Sequence, residues 1–143
     1  MANMLSNHYK FALHSGNIDF DADIFKIALV GTGFLFDPDV HANWSDVSAS
    51  ELTGGNGYTA GGATLAGVAI SEDDVNNRSD VTFNDQQWTA SGGSIGPTCG
   101  AIIFKDSGVA VTSVVVGYID FGSDKTVTDG LPLSVNNIIV RGA

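Results

Sequence analysis

Three aspartates at alternate positions, Asp19, Asp21 and Asp23, have the spacing of the first ligands in a calcium-binding loop. An EF-hand loop also needs Gly at its sixth position and Glu at its twelfth, where this chain has Ile24 and Val30. The run therefore does not match that loop. We interpret its carboxylates as solvated groups that lead into a strand.

The side chains that commonly bind metals or attack substrates are few and scattered. The histidines His8, His14 and His41 include no pair spaced four residues apart, and Cys99 is the only cysteine. No G-x-S-x-G segment is present, so the sequence does not indicate a nucleophilic serine. We expect no metal, no cofactor and no catalytic group, and hence a protein that is not an enzyme.

Four large aromatic residues have the flat rings with which proteins stack on sugars. They are Trp44, Tyr58, Trp88 and Tyr118. The same residue types dominate protein cores and interfaces. No polar cluster surrounds them in the sequence, so we favour core or interface positions and keep a carbohydrate-binding platform as an alternative.

The overall composition is that of one globular domain, with 43% hydrophobic and 15% charged residues among 143. Sixteen acidic and six basic residues give a net charge of −10. Binding to nucleic acid needs Lys and Arg at the phosphates, and an anionic membrane surface would repel this chain, so we expect neither partner. The charge favours solubility or a match to a basic partner surface.

The single cysteine rules out a disulfide within the chain. The first residues lack the pattern of a signal peptide, and no apolar run has the length of a membrane helix. We therefore expect synthesis and folding in a cytoplasm.

Two short helices are predicted. Residues 3–15 place Tyr9 on an apolar face of helical period, with Asn3 as the N-cap and Gly16 just after the end. Residues 37–47 are predicted to form one or two further turns, because Asp-Pro is a typical helix start.

Strands account for most of the remaining chain. The predicted strands are 24–30, 63–70, 80–89 with a break near 84 and 85, 100–105, 113–121 and 135–140. The two strands that flank the turn Asp106-Ser107-Gly108 form a hairpin that belongs in the middle of a sheet, because so apolar an edge would aggregate. Residues 1–143 are predicted to be a single domain: mainly β, an antiparallel β-sandwich with a short N-terminal helix and one further short helix.

The glycine-rich segments 54–62 and 91–97 are predicted loops. The first of them lacks the lysine of a phosphate-binding loop, so we interpret its glycines as flexible turn residues.

A set of short motifs, in a fixed order along the chain, carries a resemblance to a known family. They include Y-K-F-A-L at Tyr9 to Leu13, G-Y-T-A-G-G at Gly57 to Gly62, F-K-D-S-G at Phe104 to Gly108 and G-Y-I-D-F-G-S at Gly117 to Ser123. In order and spacing the chain resembles a family of small structural proteins of tailed bacteriophages. The chain ends in I-I-V-R-G-A, where members of that family commonly have a strand with an aromatic residue.

The resemblance implies a virion structural protein, and some members are thought to be capsid decoration or cement proteins. It implies a place on the outer surface of the head at capsomer junctions, after synthesis in the host bacterial cytoplasm. The implied partners are the major capsid protein and other copies of this chain, for which we favour a trimer over a dimer. The alternatives are a tail or baseplate component and the carbohydrate-binding module.

A domain this small must commit much of its surface to its neighbours, so we expect some core-like residues at interfaces. The candidate interface residues are Met4, Leu5, Tyr9, Phe34, Leu35, Phe36 and Tyr58. The N-terminal helix and the two glycine-rich loops are further candidate contacts. Removal of residues 1–15 is expected to weaken binding to the particle more than it weakens folding.

Overall fold

Ten β-strands and two short α-helices lie within residues 4–142, which are the residues that the computed structural model describes. The strands are β1 (Met4–Leu5), β2 (Phe25–Gly31), β3 (Ala63–Thr64), β4 (Ala69–Asp73), β5 (Arg78–Phe83), β6 (Gln86–Thr89), β7 (Ile95–Lys105), β8 (Val115–Val127), β9 (Pro132–Val135) and β10 (Ile138–Gly142). The helices are α1 (Asn7–His14) and α2 (Trp44–Val47), and 3-10 turns lie at Ser48–Ser50 and Ala110–Thr112. The fold is mainly β with antiparallel sheets and two short helices, as predicted.

A five-stranded antiparallel sheet in the order β1-β8-β7-β2-β3 forms the centre of the molecule. β2 pairs with β7, and Ile27 lies opposite Ile103. Both faces of these strands are covered, because residues 27–30 and 101–103 have no accessible surface. The position of the apolar β7-β8 hairpin in the interior of a sheet is confirmed.

A second layer consists of a three-stranded sheet, β10-β5-β4, and a two-stranded ribbon, β6-β9. Only two residues separate β5 from β6, and only two separate β9 from β10. The β5-β10 pair and the β6-β9 pair are therefore two parts of one antiparallel ladder with an interruption between them. At the interruption the Asp85 carboxylate accepts a hydrogen bond of 3.0 Å from the Asn137 amide. The predicted break near residues 84 and 85 is confirmed.

The main hydrophobic core lies between these two layers, as in a β-sandwich. Phe20 stacks on Phe25 of β2 with ring centroids 4.7 Å apart, and Phe25 lies 5.9 Å from Phe83 of β5. Ile103 of β7 and Ile138 of β10 are fully buried in the same cluster. Removal of this apolar surface from water holds the layers together, at roughly 25 cal/mol per Å² buried.

The opposite face of the central sheet is covered by residues 32–47. Trp44 of α2 stacks on Phe104 of β7 with centroids 4.3 Å apart. Phe36 stacks on Tyr118 of β8 at 5.7 Å. A second, smaller core therefore lies on this side of the sheet.

α2 begins later than predicted. Residues 37–43 contain a single turn, in which the Asp37 carbonyl accepts from the Val40 and His41 amides at 3.3 and 3.0 Å, and this turn does not continue as a helix. The helix starts only where the Asp46 carboxylate reaches back to the Asn43 amide at 2.9 Å.

α1 is shorter than predicted at both ends. Its N-cap is Ser6, whose hydroxyl accepts from the Tyr9 amide at 2.9 Å and donates to the Val115 carbonyl at 2.6 Å. The two residues before Ser6 consequently pair with β8 as β1. Gly16 follows the helix with a φ of 79°, as expected, whereas the predicted N-cap Asn3 lies outside the described residues.

Several predicted strand boundaries are wrong. The predicted strand 63–70 is two strands, β3 and β4, and β4 continues to Asp73 in a hairpin with β5. β7 and β8 extend well beyond 100–105 and 113–121, and the predicted tail strand 135–140 is replaced by β9 and β10. In each case pairing with another strand decides the boundary, and local composition does not reveal it.

Candidate interaction surface

Three of the predicted interface residues are buried within the chain. Tyr9, Phe36 and Tyr58 are between 3% and 8% exposed. Burial raises the pKa of Tyr9 to about 12. Leu5 is half-buried against the main core. The side chains of these four residues stabilise the fold, so direct contact with a partner must come from their neighbours.

The other predicted interface residues come together at one surface cleft. Leu35 is 85% exposed and Met4 is 37% exposed, and Phe34 is half-buried beside them. We call this site the aromatic cleft, and its volume is about 340 Å³. It is lined by Met4, Gly33, Phe34, Leu35, Phe36, Cys99, Tyr118, Asp120, Gly122, Ser123 and Asp124.

One wall of the aromatic cleft is the loop of residues 32–43, which is fixed at several points. The His41 ring stacks on Phe34 at 5.3 Å, and its Nδ1 accepts a hydrogen bond of 2.9 Å from the Asp37 amide. The Pro38 carbonyl accepts from the Asn7 amide at the start of α1 at 3.0 Å. The loop therefore presents Leu35 from a fixed base.

The floor of the aromatic cleft is formed by Tyr118. Its hydroxyl donates to the Cys99 carbonyl at 3.4 Å and lies 3.5 Å from the Cys99 thiol. Burial raises the pKa of Tyr118 above its usual range, and the Cys99 thiol and Asp120 add to this effect, so the hydroxyl stays protonated. A Cβ atom at Gly100 would lie 2.4 Å from the Tyr118 hydroxyl, so the ring needs a glycine beneath it.

The other wall is a bulge in β8. Between two paired positions β7 advances two residues, from Thr98 to Gly100, while β8 advances five, from Asp120 to Lys125. The Asp120 carboxylate accepts a hydrogen bond of 2.8 Å from Gly122, which has a φ of 79°. Sequence reasoning interpreted residues 122–124 as the end of the strand and missed this wall; the Asp-x-Gly spacing was the available signal.

The two glycine-rich loops also converge, and they border a second depression of about 600 Å³ that we call the loop crevice. The Asn56 side-chain amide donates to the Ser94 carbonyl at 3.1 Å, and the Ser91 amide donates to the Asn56 carbonyl at 2.9 Å. The crevice is lined by residues 31–32, 51–56, 58 and 94–97. The loops predicted as candidate contacts are thus neighbours in space.

Tyr58 fastens the first glycine-rich loop to the central sheet. β3 is only two residues long, so it pairs with only part of β2. At Leu29 of β2 the Tyr58 hydroxyl accepts a hydrogen bond of 2.9 Å from the backbone amide, and it donates to the Glu51 carboxylate at 2.8 Å. Burial raises the pKa of Tyr58 strongly, and Glu51 raises it further. The Gly61 amide donates to the same carboxylate at 2.6 Å.

The four aromatic residues considered for sugar stacking are core residues. Trp44, Tyr58, Trp88 and Tyr118 are between 3% and 9% exposed. Their ring faces pack on other side chains, such as Phe104 on Trp44. The core interpretation is confirmed for all four residues.

The alternating aspartates close a turn. The Asp19 carboxylate accepts hydrogen bonds from the amides of Asp21 and Ala22 at 3.0 and 3.3 Å, and the Asp23 carboxylate accepts from the Asp19 amide at 2.8 Å. Asp23 also pairs with Lys105 at 3.0 Å. Within residues 4–142, no three His, Cys, Asp or Glu side chains are grouped so that they could hold a metal ion.

Most of the positive charge of the chain is already paired. Four of the six basic residues form ion pairs with the chain's own aspartates at 3.0 to 3.5 Å. They are Lys26, Arg78, Lys105 and Arg141. The surface that the chain offers to a partner is therefore even more one-sidedly acidic than its composition indicates.

No helix in the described part of the chain is both long and apolar enough to cross a membrane. Comparison with models of known protein families, with curated proteins and with solved structures finds no match to this chain.

Proposed function

We propose that this chain is a structural protein of a bacteriophage virion, namely a capsid decoration or cement protein that binds the outer surface of the head. The proposal starts from the resemblance of its motifs to small structural proteins of tailed phages. The role requires a stiff scaffold, a surface for the shell and an outer face that stays in solution, and no chemistry on a substrate.

The observation that supports this role best is the aromatic cleft. Four of the seven residues that the sequence singled out for contacts line it: Met4, Phe34, Leu35 and Phe36. Two of them keep large apolar side chains in water, since Leu35 is 85% and Met4 is 37% exposed. Apolar side chains at the rim of a cleft whose walls are fixed are typical of a protein–protein contact.

The rigid support of the cleft also fits a bracing role. The central sheet beneath it is buried on both faces, and the loop of residues 32–43 is bonded to α1. A contact surface that is already ordered loses little conformational entropy when it binds. Self-association, as a trimer rather than a dimer, remains part of the proposal and would use another surface.

The test is the location of the protein in purified virions of the phage that encodes it. We expect it in the head, on the outer surface at capsomer junctions, and we expect heads that lack it to open at a lower temperature or lower salt. Density at the tail or baseplate would replace the head with a tail role. Absence from the particle would refute the proposal.

A variant of the cleft sharpens this test. Leu35→Ser removes an exposed apolar side chain with little effect on folding, and we expect it to reduce the occupancy of the protein on heads. Val75→Ser is the matched control, because Val75 is 90% exposed on the distant turn between β4 and β5. Equal loss of occupancy for both variants would argue against the cleft as the contact.

A further inference from the structure

We propose that the aromatic cleft receives an apolar side chain carried by a positively charged segment of another protein, and not by a second copy of this chain. The inference rests on the proposed function, in which that segment belongs to the shell.

The shape of the cleft sets the size of the group that enters it. Its volume of about 340 Å³ is near the lower end of the range for ligand sites, roughly 300–1,000 Å³, so it accommodates one or two side chains. The floor is apolar, because Phe36 stacks on Tyr118 there. Leu35 and Met4 flank the opening with exposed aliphatic groups. An aliphatic or aromatic side chain fits this lining best.

The carboxylates at the opening determine which sign of charge the occupant must carry. Asp120 and Asp124 line the cleft, and among the residues that the structure describes no Lys or Arg lines it. Lys125 follows directly in the chain, but it lines a neighbouring depression with Phe121. A cationic group beside the inserted side chain would therefore meet the Asp124 carboxylate at the opening.

The small number of unpaired cations argues against a second copy as the occupant of this cleft. Each copy carries a net charge of −10, and four of its six basic residues are already paired with its own aspartates. Two copies that met at this cleft would bring acidic surfaces together, which disfavours association. A basic segment of a different protein has the complementary charge.

The experiment uses the full chain and two capped pentapeptides as probes, Lys-Leu-Lys-Leu-Lys and Glu-Leu-Glu-Leu-Glu, followed by amide NMR spectra. We expect the lysine peptide to shift the signals of residues 33–36 and 120–124, and the glutamate peptide to leave them in place. Raising the salt concentration should weaken binding, because exposed charges are screened.

Three variants separate the contributions. Leu35→Ser should weaken binding of the lysine peptide by about tenfold, from lost apolar contact. Asp124→Asn should weaken it by about threefold, the effect of one exposed ion pair. Asp74→Asn removes the same charge on the exposed turn after β4 and should change binding by less than about twofold.

Three outcomes would overturn the inference. They are equal weakening by Asp74→Asn and Asp124→Asn, peptide shifts confined to other surfaces, and shifts at the cleft that appear with protein concentration alone. The last would identify a second copy as the occupant. A failed peptide experiment with the protein present on heads would remove only the stated partner chemistry, whereas peptide binding by a protein absent from virions would remove the proposed function.

Discussion

At the scale of single residues, close approach of backbone and side chain makes specific positions intolerant of change. Gly100 in β7 is the clearest case, since an added Cβ would meet both the Ile119 carbonyl and the Tyr118 hydroxyl at 2.4 Å. Its φ is not in the left-handed region, so the constraint is purely one of space.

We expect Gly100→Ala to lower the free energy of unfolding by about 1–3 kcal/mol, as overpacking does, and to displace the Tyr118 ring from the floor of the cleft. Urea denaturation measures the first effect. Gly31→Ala is the matched control, because its nearest contact would be an ordinary 3.7 Å. Equal stability of the two variants would contradict the steric account.

The hydroxyl of Tyr58 is a second position of this kind. Tyr58→Phe leaves the Leu29 amide of β2 without its acceptor at 2.9 Å. We therefore expect the free energy of unfolding to fall by about 1–3 kcal/mol. Tyr9→Phe serves as the reference, since no hydrogen bond of the Tyr9 hydroxyl is found within residues 4–142. If thermal unfolding shows the same small change for both variants, the hydroxyl of Tyr58 contributes nothing.

At the scale of elements, α1 depends on a contact that is distant in sequence. Ser6 has no accessible surface, and its hydroxyl joins the Tyr9 amide to the Val115 carbonyl. Tyr9 and Ala12 of the helix are buried in the main core. Removal of residues 1–15 would therefore destabilise the sandwich as well. That it weakens binding to the particle more than folding stays a prediction from sequence.

Ser6→Ala tests this dependence. We expect the free energy of unfolding to fall by about 1–2 kcal/mol, because the variant loses both the helix cap and the buried hydrogen bond. Ser15→Ala removes an exposed hydroxyl at the other end of α1, which donates to the Phe11 carbonyl at 2.9 Å, and should cost much less. A melting temperature unchanged by Ser6→Ala would show that other contacts hold the helix.

The elements also show which features a sequence can predict. The central hairpin follows from its apolar runs, because only a sheet interior tolerates strands like β7 and β8. The N-cap of α1 does not follow, because Ser6 is selected over its neighbours by a partner 109 residues away. The sequence predicts one wall of the cleft, because Leu35 is among the candidate interface residues. It does not predict the other wall, because the β8 bulge arises from the register of β8 against β7.

At the scale of the whole molecule, the excess of acidic residues has a structural use besides solubility. Many of the carboxylates accept hydrogen bonds from backbone amides in turns, as Asp19, Asp37 and Asp73 do. Asp106 accepts from Gly108 at 2.9 Å and pairs with Lys26 at 3.2 Å. The net charge is therefore partly the sum of many turn-closing carboxylates.

The pKa of Asp106 is lowered chiefly by the Gly108 amide, with a further contribution from Lys26, and that of Asp73 is lowered chiefly by the Asn76 side chain. Because the folded pKa values lie below the unfolded value of 3.8, this stabilisation is full above that pH and is lost as the pH falls below it. We expect Asp106→Asn to flatten the fall in melting temperature below pH ~4. An unchanged slope would contradict this assignment.

The extra residues in the β8 bulge affect how these molecules associate when they are packed closely together. Within residues 4–142, β1 pairs with β8 at Gly117 and Tyr118, beside the bulge. The bulge of residues 120–125 breaks the even spacing of amide and carbonyl groups along β8. Densely arrayed molecules of this kind would thereby resist stacking into fibrils through this part of β8, however closely they were packed.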